Sequence, residues 1–157
     1  MRFFKRKKRQ FEIVKGQMRK HRGIEIKLPE KGTKNAIAYD IFSPIDFMVK
    51  PGEKFMLWTD VKAKFNDDEA LIINVRSSMG KHGIMLANSQ GWIESDYYGN
   101  ETNDGNLGLM FVNAFGDEPW IVKAGDKIGQ CMFIKYLTAE NGNSNKIRTG
   151  GFGSTGK

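Results

Sequence analysis

Phosphate-binding chemistry is indicated first by the segment Arg76-Ser77-Ser78-Met79-Gly80. It places a guanidinium and two hydroxyls directly after an apolar run, where a short helix is expected to begin. A helix N-terminus presents unpaired backbone N–H groups, and a guanidinium pairs well with phosphate oxygens. The same residues also suit a simple helix cap, so this segment alone leaves both interpretations open.

The C-terminal residues 150–156 read Gly-Gly-Phe-Gly-Ser-Thr-Gly and also suit an anion. Glycines let the backbone turn its N–H groups towards a phosphate, and the Ser and Thr hydroxyls add donors. Phe152 offers a flat face to a base, and Arg148 adds a fixed positive charge. Residues 151–157 match part of a P-loop, but that motif needs a preceding strand and a following helix. Composition leaves a mobile phosphate lid and an inert tail equally open.

Three further segments carry acids or amides close to apolar residues. Asp40 lies in the run Ala38-Tyr39-Asp40-Ile41, and residues 91–99 (Gly-Trp-Ile-Glu-Ser-Asp-Tyr-Tyr-Gly) place two acids beside aromatic rings. Asn88 stands just upstream of that aromatic segment. Residues 125–130 (Gly-Asp-Lys-Ile-Gly-Gln) form a turn that enters a strand. Each segment alone has an ordinary structural explanation, such as a capped turn.

The elements that must position these segments are short strands. We predict strands at residues 11–14, 24–28, 36–42, 47–49, 54–58, 70–75, 84–87, 92–93, 107–113, 121–122 and 128–136. Pro, Gly, Asn and Asp separate them at short intervals, which favours an all-β sandwich or barrel over an α/β fold. One short helix is predicted at residues 77–81.

Charge and composition divide the chain into three parts. Residues 1–23 hold ten Lys or Arg and one acid, a net charge of +9, whereas the rest hold fifteen and seventeen, a net charge of −2. We therefore predict a basic N-terminal arm with a first short strand (residues 1–23), a β domain (24–139) and a flexible C-terminal arm (140–157). The basic arm suits contact with nucleic acid or another polyanion, but a solvated terminus is the favoured alternative.

Cysteine usage and hydropathy bear on the cellular compartment. Cys131 lies in an apolar stretch, which predicts a buried thiol in a reducing environment rather than a reactive nucleophile. No apolar run approaches the roughly 20 residues of a membrane helix, and no apolar segment follows the basic start as in an export signal. The chain is expected in the cytoplasm, without a membrane partner, from a bacterial or phage gene.

Taken together and in this order, the five segments resemble the five motifs of the trimeric dUTPase family. The resemblance spans about residues 24–156, and the glycine-rich tail and the Asp-Tyr-x-Gly hairpin are its most specific parts. It implies a distorted jelly-roll-like β-barrel or sandwich that forms a homotrimer with three active sites. Motifs one, two and four would come from one subunit, motif three from a second and motif five from a third. The tail would then become ordered on a neighbour's ligand.

The resemblance implies hydrolysis of dUTP to dUMP and diphosphate, which limits uracil incorporation into DNA and supplies dUMP for dTMP synthesis. Mg²⁺ would bridge the phosphates, and Asp40 would contact it through water. Glu94 would act as general base on a water that Gln130 helps to hold. That water would attack the α-phosphorus in line, while the protein positions the groups and neutralises charge.

The resemblance also implies the substrate contacts. Asn88 and the backbone near Ile93 and Tyr97 would read the uracil edge. The Tyr97 ring would exclude a 2′-hydroxyl, and the tight hairpin would exclude the 5-methyl group of thymine. Phe152 would stack on uracil, with Gly153 in the same lid. The triphosphate would be held by guanidinium and hydroxyl groups, namely those of Arg76, Ser77, Ser78, Arg148, Ser154 and Thr155.

Three positions depart from the family pattern. Glu94 stands where the family usually has Asp, and its side chain is one methylene longer. A displacement of about 1 Å matters for a base that must orient a water. Ala38 replaces the usual Gly, and Arg148 lies one residue closer to the glycine run than in many relatives.

Two other functions are weighed against dUTP hydrolysis. A dCTP deaminase, which resembles a relative on the same fold, has a Glu three residues before the Asn of the strand after motif three. Here Met110 stands three residues before Asn113, and an apolar Met cannot shuttle a proton. A non-catalytic nucleotide-binding regulatory protein on the same scaffold is the second alternative, motivated by Glu94 and the basic arm.

Overall fold

The computed structural model describes residues 9–156, and antiparallel strands dominate it. The strands are β1 (Gln10–Ile13), β2 (Tyr39–Phe42), β3 (Phe47–Val49), β4 (Lys54–Trp58), β5 (Val61–Lys64), β6 (Glu69–Asn74), β7 (Ile84–Leu86), β8 (Gly91–Glu94), β9 (Gly108–Asn113), β10 (Trp120–Val122) and β11 (Lys127–Lys135). The helix α1 (Ser77–Lys81) follows β6, and short 3-10 turns cover Gly16–Met18 and Ser95–Tyr97.

The strands form two larger and two smaller antiparallel sheets. The larger ones have the orders β2-β11-β6-β8 and β4-β9-β7, and the smaller ones are the pairs β1-β5 and β10-β3. Along β9, burial alternates, so that Leu109, Phe111 and Asn113 point inwards. This period of two places one face of the strand in the core. Among the described strands, hydrogen-bonded neighbours are never consecutive in sequence, so the chain passes repeatedly from one sheet to another.

One hydrophobic core joins all the sheets. Its largest buried side chains include Leu57 of β4, Leu71 of β6, Phe111 of β9 and Ile128 of β11. Cys131 also lies in this core, and burial raises the pKa of its thiol to about 12. The prediction of a buried thiol is therefore confirmed, because a thiolate nucleophile would need a lowered pKa and access to solvent.

Most of the predicted elements are present within a residue or two. The structure confirms the short helix at residues 77–81 and the strands predicted near β1, β3, β4, β6, β7, β8, β9, β10 and β11. The strand predicted at residues 36–42 begins only at Tyr39. The C-terminal residues 140–156 contain neither helix nor strand, as their composition indicated.

Two strand predictions are corrected. Residues 24–28 alternate like a strand, but their backbone lacks a strand partner there, and only Ile26 is buried. The nearest pairing is the isolated bridge between Glu30 and Asp40. Conversely, β5 was missed, because its sequence Val-Lys-Ala-Lys looks polar. Lys62 in β5 is buried because Asp104 pairs with it at 2.8 Å.

The N-terminal segment is part of the folded body from Gln10 onwards. β1 pairs with β5 in the register Gln10 to Lys64 and Ile13 to Val61. The first eight residues, which hold five of the ten Lys and Arg of the predicted basic arm, lie outside the described range. Within residues 9–156, none of the helices has the length and apolar content needed to cross a membrane.

Candidate active site

One group of the predicted residues meets where β2, β11 and α1 adjoin. Asp40 in β2 lies opposite Gln130 in β11, which in turn lies opposite Asn74 in β6. β6 then leads to Arg76, which precedes α1. The antiparallel register therefore places motifs one, two and four side by side. Ser77 and Ser78 are exposed in the first turn of α1.

Charge balance in this group depends on a residue that sequence reasoning missed. The Asp40 carboxylate pairs with Arg76 Nε at 3.2 Å and with Lys127 Nζ at 2.8 Å, although only 13% of its side chain is exposed. Lys127 lies in the segment 125–130 that the sequence had singled out. Its position directly before a strand was the available signal, but its partner could be found only in the fold. Two cations around one carboxylate leave a net positive surface that suits phosphate.

A second group surrounds a cavity of about 200 Å³ beside β8. Tyr97 is buried in its wall, and burial raises the pKa of its hydroxyl, so that the ring remains neutral at physiological pH. Met110 also lines this cavity, at the position where the deaminase alternative would require an acid. The predicted site residues that line it are Asn88, Ile93, Glu94, Tyr97, Arg148, Phe152, Gly153 and Thr155.

The glycine-rich tail covers this cavity within its own chain. Arg148 Nη2 donates to Glu94 at 3.1 Å and Nε donates to Asp96 at 3.0 Å. The Arg148 side chain is only 8% exposed, because it lies over the Tyr97 ring and donates to the carbonyls of Gly150 and Gly151. Arg148 also donates to Ser154 Oγ at 3.4 Å. The tail therefore supplies positive charge and hydroxyl donors to the mouth of an aromatic-walled pocket.

Close packing holds the tail against the loop that follows β8. A Cβ added at Gly151 would lie 2.5 Å from Thr102 Oγ1, so that only glycine permits this approach. The Phe152 ring lies edge-on to Trp58, with ring centroids 5.8 Å apart, and remains half exposed. An aromatic face is thus available at the cavity. The expectation that the tail covers a neighbour's ligand stays a prediction.

The two groups do not meet in a single chain. Gln130 lies opposite Asn74, whereas Glu94 lies opposite Ala70, four residues earlier in β6. At roughly 3.3 Å per residue, these two positions are roughly 13 Å apart along the strand. One chain therefore places the cationic cluster near one end of the sheet and the Glu94 carboxylate near the other.

The predicted contact to a metal ion is a single carboxylate, that of Asp40. Among residues 9–156, no set of three or more His, Cys, Asp or Glu side chains is close enough to share an ion. Asp40 is the predicted metal contact, and its carboxylate lies next to the cations of Arg76 and Lys127. An oxygen ligand among phosphate-binding groups suits Mg²⁺, which is usually held through one or two carboxylates plus substrate phosphates.

The fold and these two groups define a class: all-β proteins that present an aromatic pocket and a separate cationic surface. The dUTPase family model matches residues 24–156. The deoxyuridine 5'-triphosphate nucleotidohydrolase of Lactococcus lactis subsp. lactis is 35% identical over 151 residues, covering 94% of this chain and 97% of that protein. The corresponding protein of Haemophilus influenzae is 34% identical, with 86% and 91% covered.

Solved structures of dUTPases superpose on the fold of this chain. The dUTPase of Streptococcus mutans superposes with a TM-score of 0.71 at 27% identity, covering 83% of this chain and 98% of that one. A mutant dUTPase of phage phi11 of S. aureus, described with a structural Mg(II) ion, superposes with a TM-score of 0.67 at 20% identity. The chain belongs to the dUTPase family, and the jelly-roll-like all-β fold is confirmed.

Proposed function

We propose that the protein hydrolyses dUTP to dUMP and diphosphate. The observation that carries this proposal is the cavity beside β8, where the Glu94 carboxylate, the Tyr97 ring and the Phe152 ring surround one space. Membership of the dUTPase family and the names of its relatives support the substrate. The deaminase alternative is not favoured, because the cavity has Met110 where an acid would be needed.

Uracil recognition is assigned to β8 with the turn that follows it, and to the glycine-rich tail. Asn88 and the backbone near Ile93 and Tyr97 offer donors and acceptors to the base edge, and Phe152 stacks on its face. Stacking on an aromatic ring contributes about 1–3 kcal/mol per base. The Tyr97 ring packs against the deoxyribose and leaves no space for a 2′-hydroxyl.

The triphosphate is assigned to both ends of the sheet. Charge neutralisation comes from guanidinium and hydroxyl donors, namely those of Arg76, Ser77, Ser78, Arg148, Ser154 and Thr155. The backbone N–H of Gly153 adds a further donor. Arg148 is already held beside Glu94 at 3.1 Å, so its charge lies next to the reacting centre. Fixed donors of this kind need no reorganisation when charge develops on the phosphates.

Asp40 is assigned as the contact to Mg²⁺, through water. When bound, Mg²⁺ would neutralise phosphate charge and polarise the phosphoryl oxygens. The Asp40 carboxylate is held in place by Arg76 and Lys127, so it is oriented before the ion arrives.

Glu94 is assigned as the general base. Its carboxylate would accept a proton from the attacking water, which Gln130 also helps to hold. The Glu94 side chain is 64% exposed, so the extra methylene relative to Asp can be accommodated. Attack on the α-phosphorus then expels diphosphate.

A homotrimer is proposed because one chain separates Glu94 from Gln130 and Asp40. The exposed face of β11, β6 and β8 supports it. This face has an apolar groove of about 580 Å³, and Trp92 and Leu137 in it are 72% and 99% exposed. Exposed apolar patches of this kind mark interaction surfaces.

The test is diphosphate release from dUTP with Mg²⁺, with dCTP, dTTP and UTP as competing substrates. We expect rapid release from dUTP alone, and loss of release when the metal is chelated. Tight dUTP binding without release above the metal-free control would instead support the non-catalytic regulatory function.

A further inference from the structure

The Tyr97 hydroxyl is anchored by its own loop rather than left for a ligand. It donates to the Asn106 carbonyl at 2.6 Å and accepts from Asn103 Nδ2 at 2.8 Å. The loop turns back through Gly105 at φ +88°, where a Cβ would lie 2.9 Å from the Tyr97 carbonyl oxygen. The orientation of the ring therefore depends on where Asn106 is held.

Asn106 is held by a reciprocal pair with Asp60. The Asp60 N–H donates to Asn106 Oδ1 at 2.9 Å, and Asn106 Nδ2 donates back to Asp60 Oδ1 at 2.9 Å. Both residues are fully buried, and Asp60 has a left-handed backbone at φ +58°. Two such hydrogen bonds in a buried setting fix the loop after β8 to the turn between β4 and β5.

The N-terminal segment satisfies the rest of the Asp60 carboxylate. The backbone N–H groups of Lys20 and His21 each donate to it at 2.8 Å, and Arg19 Nε approaches at 3.4 Å. A buried carboxylate is costly unless it is fully hydrogen-bonded, so these donors determine where Asp60 can lie. The N-terminal segment therefore helps to hold the loop after β8 indirectly, through Asp60.

A second connection joins the same two parts of the chain. The Lys15 N–H donates to Asp104 at 2.9 Å, and Lys62 pairs with the same carboxylate at 2.8 Å. Tyr98 donates its hydroxyl to Glu12 at 2.6 Å. The loop that carries Tyr97 is thus attached to the N-terminal segment directly at two points, Asp104 and Tyr98, and indirectly through Asp60.

We propose that Asp60 and Asn106 are positioning residues that determine sugar selectivity by holding the Tyr97 ring. The inference rests on the proposed function, in which that ring contacts the deoxyribose. Neither residue lines the cavity, so both act through Tyr97. A small displacement of the ring would open space for a 2′-hydroxyl while leaving the phosphate-binding groups in place.

The experiment compares two buried asparagines. Asn106→Ala and Asn113→Ala each remove a fully buried side-chain amide, but Asn113 donates to the carbonyls of Val49 and Glu118. Asn113 also stands outside the cavity lining. We expect both to lower the melting temperature, and only Asn106→Ala to raise kcat/KM for UTP relative to dUTP, by roughly 10- to 100-fold.

Milder variants keep the proposal testable if Asn106→Ala does not fold. Asp60→Asn preserves shape, and Asn tolerates the left-handed backbone. Tyr97→Phe removes only the anchored hydroxyl. Both are expected to weaken discrimination against UTP in the same direction, through KM more than through kcat.

The ratio of affinities for dUMP and UMP, measured by calorimetry, provides a readout that needs no turnover. Wild-type selectivity in Asn106→Ala, Asp60→Asn and Tyr97→Phe would overturn the inference, as would an equal loss in Asn113→Ala. A wild-type protein that binds dUMP selectively yet releases no diphosphate from dUTP would contradict the proposed function and leave the affinity ratio to decide this inference.

Discussion

At the scale of single residues, the proposed general base is the Glu94 carboxylate. We expect Glu94→Gln to retain dUTP binding and to lower kcat roughly 10²- to 10⁴-fold, because an amide cannot accept the proton of the attacking water. Single-turnover kinetics and equilibrium binding of dUTP measure the two effects separately.

Asp96 provides the matched control for Glu94. Both carboxylates are more than half exposed and both accept from Arg148, at 3.1 and 3.0 Å. Asp96→Asn should therefore change the charge around Arg148 by the same amount and leave most of the turnover intact. Equal losses in the two variants would remove Glu94 from the role of base.

The buried Asp104 carboxylate gives a pH dependence of stability. Burial opposes its ionisation, but the hydrogen bonds from Lys62 and the Lys15 N–H outweigh this, and its pKa is lowered. A pKa lower in the folded state stabilises the fold above the unfolded value, and this stability is lost as pH falls through the folded value.

We therefore expect Asp104→Asn to cost about 1–3 kcal/mol at pH 7 and progressively less below about pH 4. Melting temperatures of both proteins across this range measure the difference. A gap that stays constant down to pH 2 would show that the charge of Asp104 does not contribute.

At the scale of elements, the glycine-rich tail contacts the cavity although it forms neither helix nor strand. It reaches the cavity through Arg148, Phe152 and a close approach at Gly151. Deleting residues 147–157 should leave the β domain and its assembly intact, because none of the described residues 147–156 belongs to the hydrophobic core. Hydrolysis should fall roughly 100-fold or more, as fixed charge and donors are lost.

Two point variants refine the truncation experiment. Phe152→Ala should raise KM through lost stacking, whereas Ile147→Ser, at an exposed tail position outside the cavity, should behave like the wild type. Light scattering and steady-state kinetics on the same samples separate assembly from activity. A truncated protein with full activity would exclude a lid function.

At the scale of the whole molecule, the separation of Glu94 from Arg76 and Asp40 makes a complementation experiment decisive. Chains with Glu94→Gln and chains with Arg76→Ala should each be nearly inactive. After mixing in denaturant and refolding together, about one quarter of the sites should hold both intact residues if they come from different subunits.

Recovery of about that fraction of wild-type activity would support a shared site. No recovery in mixtures that refold to trimers would contradict it, because each site would then be built within one chain. Leu137→Lys, on the exposed apolar face and outside the cavity beside β8, should weaken assembly and activity together.

The basic residues of the first eight positions, with a net charge of +5 in Met1–Lys8, lie outside the residues that the structure describes. Contact of the basic arm (residues 1–23) with a polyanion remains the less favoured alternative to a solvated terminus, and it is untested. DNA retention that falls with salt and disappears on removal of these residues would support it, since phosphate contacts release counterions.

The sequence alone determined the residue types of the site and the short, alternating strands that hold them. Asp40, Arg76, Glu94, Tyr97 and the glycine-rich tail could be selected because their chemistry is local and their motifs occur in order. The strand period likewise follows from local alternation, which is why most strands were predicted within two residues.

Only the tertiary structure decided which of these residues meet. Lys127 beside Asp40, buried Lys62 in β5 and the pair of Asp60 with Asn106 all depend on contacts between distant strands. The register of β6 with its two neighbours places Gln130 and Glu94 at opposite ends of one sheet. Pairing of this kind depends on which strands become neighbours, and a pattern within one strand does not contain that information.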